Sequence, residues 1–288
     1  MRYIRRLFLL VSLLNASRAS AQFTTTLQPR TVAEFDQYAQ KVEQQLSMRW
    51  KGELAFVSID DSPAERDRVM HGDLVIHPAS SENPVPIYNG LVHDWTGAVL
   101  IPNTGMRKVL DILQNFDKHA EIYPQITASR LLRRNGNDLV GYWRLERKDQ
   151  IIPVVLDVEQ DAHYQEIRPG KWNCRAYANK ISEVHDAGTP GESRLPSGEG
   201  MGFLWRLYAY WSLEVTDNGV LAECRTLSLS RSIPPALAWA IKPFIQTLPR
   251  ESLAGMLRNT RTAATKQVAK RSRENVAVAE ARASNFKR

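Results

Sequence analysis

The chain has 288 residues, with 38 Lys and Arg against 31 Asp and Glu, a formal net charge of +7. The excess sits at the two ends. Residues 1–21 hold four Arg and no acid, and Thr262–Arg288 hold seven basic residues opposed only by Glu274 and Glu280. The body from Gln22 to Arg261 carries 27 basic and 29 acidic residues, so the excess is no evidence for a basic nucleic-acid-binding face on the folded part.

Arg2, Arg5 and Arg6 precede the short apolar run Leu7–Leu14, and Ala19-Ser20-Ala21 supplies a small-x-small cleavage pattern. Residues 1–21 therefore read as a signal peptide cut after Ala21, and the expected location is periplasmic or secreted. The apolar run is too short for the roughly 20 residues a membrane-spanning helix needs. The rest of the chain suits one domain, 88–265, preceded by an N-terminal helix and connector, 22–87. A basic tail, 266–288, is expected to fray or be disordered.

Thr31-Val32-Ala33-Glu34 has the form of a capping box. Phe35, Tyr38, Ala39, Val42 and Leu46 come next at helical spacing, which predicts a helix over 32–48. Residues 51–87 read as a wandering connector, with Glu53–Ile59 and Asp73–His77 as short strands or irregular packing. A strand is expected over Leu91–Ile101, then a helix capped by Asn103 or Thr104 with the stripe Met106, Val109, Leu110, Leu113 and Phe116. Further strands are expected at Ile126–Arg134, Leu139–Arg147, Ile151–Tyr164, Trp172–Val184, Phe203–Val215 and Val220–Arg231. The dipeptides Asn135-Gly136 and Asn218-Gly219 read as two-residue hairpin turns. The loop Ala187–Gly202 is too rich in Gly and Pro for regular structure. After a short helix at Ala236–Ile241, a long helix carries Leu253, Met256, Leu257, Thr260 and Ala264 on one face. Seven antiparallel strands curved around one C-terminal helix make a grip that can enclose an apolar hollow.

Alternation assigns the faces. Val154, Leu156 and Val158 oppose Asp157, Glu159, Asp161 and His163, and Cys174, Ala176 and Ala178 oppose Arg175, Tyr177 and Asn179. Trp205, Leu207, Ala209, Trp211, Leu213 and Val215 oppose Arg206, Tyr208, Tyr210, Ser212 and Glu214. Val220, Ala222 and Cys224 oppose Leu221, Glu223 and Arg225. The apolar set is expected under the closing helix, where Gly141, Ala176, Ala178, Ala209 and Ala222 leave room for a ligand or receive bulky core residues. The candidate lining is Trp143, Val154, Leu156, Trp172, Ala176, Ala178, Trp205, Leu207, Ala209, Trp211, Ala222, Met256, Leu257 and Thr260. The charged face is expected to be a solvated ladder in which Asp157, Glu159, Arg175, Arg206, Glu223 and Arg225 pair across strands. With another strand between them, Cys174 and Cys224 stand about 9–10 Å apart, too far to pair, and are expected as free thiols. The six histidines show no metal-ligand spacing, and Gly198–Gly202 precedes a strand where a phosphate loop would precede a helix. No catalytic residue, metal or cofactor is expected.

The stretch Leu91–Thr262 resembles the START-like (SRPBCC, helix-grip, Bet v 1-like) superfamily, in an uncharacterised exported bacterial branch. The resemblance lies in HDWTGAVLIP with the helix MRKVLDILQNF, VVLDVEQDAHY, CRAYANKISEV, GFLWRLYAYW, ECRTLSLSRSIP and PRESLAGMLRNTRTA. It implies an α+β helix-grip fold, a seven-stranded curved antiparallel sheet around a long C-terminal helix, here with an N-terminal helical extension. It also implies a periplasmic setting and a carrier of a hydrophobic small molecule or lipid held between sheet and helix. The alternatives are a polyketide-cyclase-type enzyme using the same cavity, and a ligand-free membrane-surface protein docking weakly through its basic tail. No family catalytic motif transfers to residues of this chain.

Overall fold

The computed structural model describes residues 24–147, 154–233 and 247–266. The signal peptide, most of the basic tail, the start of the strand expected at Ile151 and the helix expected at Ala236–Ile241 lie outside these.

Helix α1 runs Pro29–Lys51, starting three residues before the expected 32. Pro29 fits the first turn, where a missing N–H costs nothing, and Gln28 caps without a side-chain bond. Thr31 and Glu34 consequently do not form a capping box. Thr31 Oγ1 instead donates to the Tyr88 carbonyl at 2.7 Å, and Glu34 Oε2 accepts the Tyr88 N–H at 2.7 Å. The helix ends at Gly52, whose φ of 90° closes the last turn through bonds to the Arg49 and Met48 carbonyls.

The connector is more ordered than its prolines suggest. It forms a 3₁₀ turn at Ser58–Asp61, helix α2 at Pro63–Met70, and strands β2 (Leu74–Pro78) and β3 (Val85–Ile87). Two residues, Thr25–Thr26, form β1. The long strands are β4 (Gly90–Pro102), β5 (Ile126–Asn135), β6 (Asp138–Arg147), β7 (Val154–Arg168) and β8 (Lys171–His185). After the short β9 (Ser193–Arg194) and β10 (Glu199–Gly200) come β11 (Arg206–Thr216) and β12 (Gly219–Arg231). Helix α3 spans Met106–Gln114 with Gly105, not Asn103 or Thr104, at its cap. A single turn, α4, spans His119–Ile122, and residues 247–266 form helix α5.

Most of the strands join one antiparallel sheet in the order β2-β4-β12-β11-β8-β7-β6-β5, with β3 added to β4 and β9 to β8, while β1 and β10 pair separately. The first and last of the seven long strands by sequence, β4 and β12, are neighbours, so the meander is closed back on its start. Both hairpin turns sit one residue on or back from expectation. Asn135 pairs with Asp138, leaving Gly136-Asn137 as the loop, and Thr216 pairs with Gly219, leaving Asp217-Asn218.

Side-chain alternation puts the expected apolar set on the inner face. Val99, Ile101, Ala176, Ala209, Trp211, Leu213, Val220, Ala222 and Cys224 form one cluster with Val109, Leu113 and Phe116 from α3 and its exit, and Leu253 and Leu257 of α5. Val215, expected inside, is 47% exposed. Cys174 and Cys224 are both free and both opposite Trp211, on the two strands flanking β11.

The outer face departs from expectation. It is covered by α1, whose Phe35, Ala39, Val42, Leu46 and Trp50 are buried against Tyr208, Tyr210, Leu221, Leu227 and Leu229. Of the expected ladder, Asp157 with Arg144 and Glu159 with Lys180 pair across neighbouring strands, and the other charges are engaged elsewhere. Glu223 accepts from the Ser58 and Ile59 N–H groups (both 2.9 Å) and from Ser58 Oγ (2.8 Å). Arg225 donates twice to fully buried Asp94, which also takes the Tyr38 hydroxyl at 2.8 Å. Asp157 is held by Arg144 and Arg194, Glu159 by Lys180, while Arg206 bonds to main-chain carbonyls and Arg175 lies over the Trp50 ring.

Candidate functional site

The inner face carries a second apolar patch beside the main cluster. Leu156, Val158, Ala178 and Ile181 are buried in it, and Trp143, Leu145, Val154, Leu204 and Leu207 surround them half-buried. Trp143 belongs to both patches and joins them. Of the candidate lining residues, Trp143, Val154, Leu156, Ala178 and Leu207 lie in this second patch. Ala176, Ala209, Trp211, Ala222 and Leu257 are buried in the main cluster, and Trp172 and Met256 pack half-buried against it. Thr260 is buried on α5. Trp205 is the exception: it precedes β11, where alternation no longer fixes direction, and packs into the outer cluster under α1.

The two patches differ in how they are filled. Over the main cluster the small residues admit close approach. A Cβ on Gly141 would stand 1.9 Å from Phe116 Cδ1, and one on Gly97 would stand 2.8 Å from Leu257 Cδ1. Small side chains here are the seats of large neighbours. Over the second patch Trp143, Leu145, Val154, Leu204 and Leu207 keep access to solvent.

Where the patches meet, four polar groups converge that sequence spacing did not single out as a set. Trp143 Nε1 donates to His119 Nδ1 at 2.9 Å, and His119 Nε2 lies 3.2 Å from the Ile112 carbonyl. Tyr123 Oη and Thr260 Oγ1 are 2.9 Å apart, with His119 edge-on to Tyr123. An Nδ1 that accepts must be unprotonated, so His119 is the neutral Nε2–H tautomer. Burial agrees, lowering its pKa to about 4, and pushes Tyr123 up to about 12. His119 and Tyr123 stand four residues apart, at the start of α4 and just past its end, and Trp143 and Thr260 are remote in the chain. Trp95, packed against the same face, has an indole N–H buried with no partner.

The loop between β8 and β11 is latched to the sheet by charge. Asp157, 4% exposed, accepts from Tyr142 Oη at 2.6 Å, from Arg144 Nε at 2.9 Å and from Arg194 Nε at 2.8 Å. Burial opposes the ionised form, but these donors hold its pKa below the ordinary carboxylate value. Arg144 also reaches Glu192 at 2.9 Å. Glu183 takes the N–H groups of Met201 (2.7 Å) and Gly202 (2.9 Å), fixing the loop's far end.

An antiparallel sheet whose last long strand lies beside its first, with α3 and α5 on one face, is a helix-grip arrangement. No protein family profile matches the chain, and no curated protein does. Among solved structures, a STAR-related lipid transfer protein fragment from Xanthomonas axonopodis is similar at 18% identity, over 62% of this chain and 96% of that one, with a TM-score of 0.40. Human STARD10 is similar at 11% identity, over 74% and 82%, with a TM-score of 0.41. The di-domain aromatase/cyclase StfQ of the steffimycin pathway is similar at 13% identity, over 62% of this chain and 52% of that one, with a TM-score of 0.42. Among the described residues no helix is long and apolar enough to cross a membrane, and no three His, Cys, Asp or Glu cluster as a metal site.

Proposed function

We propose that this START-like chain is an exported carrier that holds a hydrophobic small molecule or lipid against the inner face of its sheet. The observation that carries the reading is the second inner patch, where Trp143, Leu145, Val154, Leu204 and Leu207 are left half-buried beside a filled core. Covering such surface is favourable by about 25 cal/mol per Å². Export rests on the Arg2–Ala21 pattern.

A cyclase-type reading would draw on His119 and Tyr123. Their polar atoms are engaged with Trp143, the Ile112 carbonyl and Thr260, leaving no free acid or base for a substrate, so the carrier reading is preferred. Titration with a fluorescent fatty acid tests it. Saturable binding to the full chain, weakened by Leu207→Gln and by Val154→Asn with folding intact, is expected; equal binding by those variants would remove the patch from the ligand site.

A further inference from the structure

The second inner patch does not end in hydrocarbon. Beyond Leu207 the sheet continues into β12 and β4, whose inward positions follow from the alternation set by Ala222 and Cys224 and by Gly97 and Val99. Those positions are Thr226, Ser228 and Ser230 on β12, and Trp95 and His93 on β4. Leu207 pairs with Ser228, Ser228 with His93, and Thr226 with Trp95. Directly opposed side chains stand about 4.5–5.5 Å apart at Cβ, and an aromatic side chain also reaches the diagonal position. Ser228 is therefore the neighbour of Leu207 on one side and of His93 on the other, within reach of the Trp95 indole.

These polar groups are under-used. Four buried side-chain polar atoms have no partner among the described residues, and of these Trp95 Nε1 lies on the inner face, whereas those of Asn173, Trp205 and Glu214 lie on the outer one. The hydroxyl of Ser228, a residue 8% exposed, makes no hydrogen bond either. His93 engages one ring nitrogen, Nε2, 3.1 Å from Ser230 Oγ. Indoles elsewhere are satisfied: Trp50 donates to Ser212 and Trp143 to His119, both at 2.9 Å. Buried polar groups in a folded chain are as a rule paired. Here an unpaired donor and an unpaired hydroxyl stand together beside apolar side chains that keep access to solvent, Leu207 among them.

Given the carrier reading above, we infer that the ligand bears an uncharged oxygen function, a hydroxyl or a carbonyl, which it sets between Ser228 and the Trp95 N–H while its hydrocarbon covers Leu207 and the patch beyond. An indole N–H only donates, so the atom that meets it is an acceptor; a serine hydroxyl gives or takes, and so admits either function. The inward residues at this place, Trp95, His93, Thr226, Ser228 and Ser230, carry no charge, since burial lowers the His93 pKa to about 4 and leaves the ring neutral. A carboxylate or phosphate set here would lose its water with no cation to replace it.

Calorimetric titration of the full chain near neutral pH with decanol, methyl decanoate and decanoate tests this. The alcohol and the ester should bind about tenfold more tightly than the carboxylate, whose charge goes unpaired. Trp95→Phe, which keeps a ring, and Ser228→Ala should each weaken decanol about fivefold, the loss of one hydrogen bond. Leu207→Gln should weaken all three ligands. Ser228→Ala, which removes a single oxygen, decides the matter where circular dichroism shows that Trp95→Phe disturbs the fold. Decanoate binding as tightly as decanol, or parental decanol affinity in both Trp95→Phe and Ser228→Ala, overturns the subsite and leaves the carrier reading standing. Binding of none of the three overturns both.

Discussion

The ring of Phe116 occupies the place that a side chain at position 141 would take: a Cβ on Gly141 would lie 1.9 Å from Phe116 Cδ1 and 2.0 Å from Cε1. This contact pins the exit of α3 to the middle of β6. It also stacks Phe116 on Trp143, 5.6 Å between centroids, and so positions the residue that joins the two inner patches.

Gly141→Ala should therefore destabilise the fold by about 1–3 kcal/mol through overpacking. The double variant with Phe116→Leu should recover part of that loss, since the two sites are in contact. Urea denaturation measures both. Additive effects would show that the contact is not what limits position 141.

Glu223 anchors the 3₁₀ turn at Ser58–Asp61 to the sheet through three hydrogen bonds while buried to 4% exposure. Glu223→Ala leaves the Ser58 and Ile59 N–H groups unpaired, and each such buried donor costs about 1–3 kcal/mol. Amide exchange at Ser58 and Ile59 should accelerate far more than exchange along β11. Unchanged protection there would mean that the turn is held by its packing alone.

His93 and His119 are both lowered to about 4 by burial. Between pH 6.5 and 4 the unfolded chain takes up protons that the folded chain refuses, so stability falls as pH falls, by up to about 1.4 kcal/mol per unit per histidine. Below that window both states are protonated and the loss is complete. Glu223, raised by burial, acts in the opposite sense, because its folded form favours the proton. Thermal unfolding from pH 7 to 4 should show a flatter profile for His93→Gln than for the parent chain. Parallel profiles would place the acid sensitivity elsewhere.

The long strands and their inner parity were legible because both depend on local signals. Alternation at Cys174, Ala176, Ala178 and at Ala209, Trp211, Leu213 is a period of two that burial on one side enforces. The outer face was misread because its partner is remote in sequence. Tyr208, Tyr210 and Leu221 looked like one side of a solvated strand, and only the fold brings α1 across them. Thr31 and Glu34 failed as a capping box for the same reason: the Tyr88 backbone, 57 and 54 residues away, outcompetes the local bonds. Trp205 turned outward because it stands before the ladder begins. The site's polar set was hidden because Trp143 and Thr260 reach His119 and Tyr123 through tertiary contacts with no sequence period.

The central claim is that the half-buried inner patch around Trp143 and Leu207 receives an apolar ligand. Native mass spectrometry of the chain purified mildly from its own host tests it most directly. A reproducible added mass that organic extraction identifies as a lipid or other hydrophobic molecule, and that is diminished in Leu207→Gln, is the predicted result. A chain that emerges bare every time and takes up no fatty acid when offered it would contradict the claim.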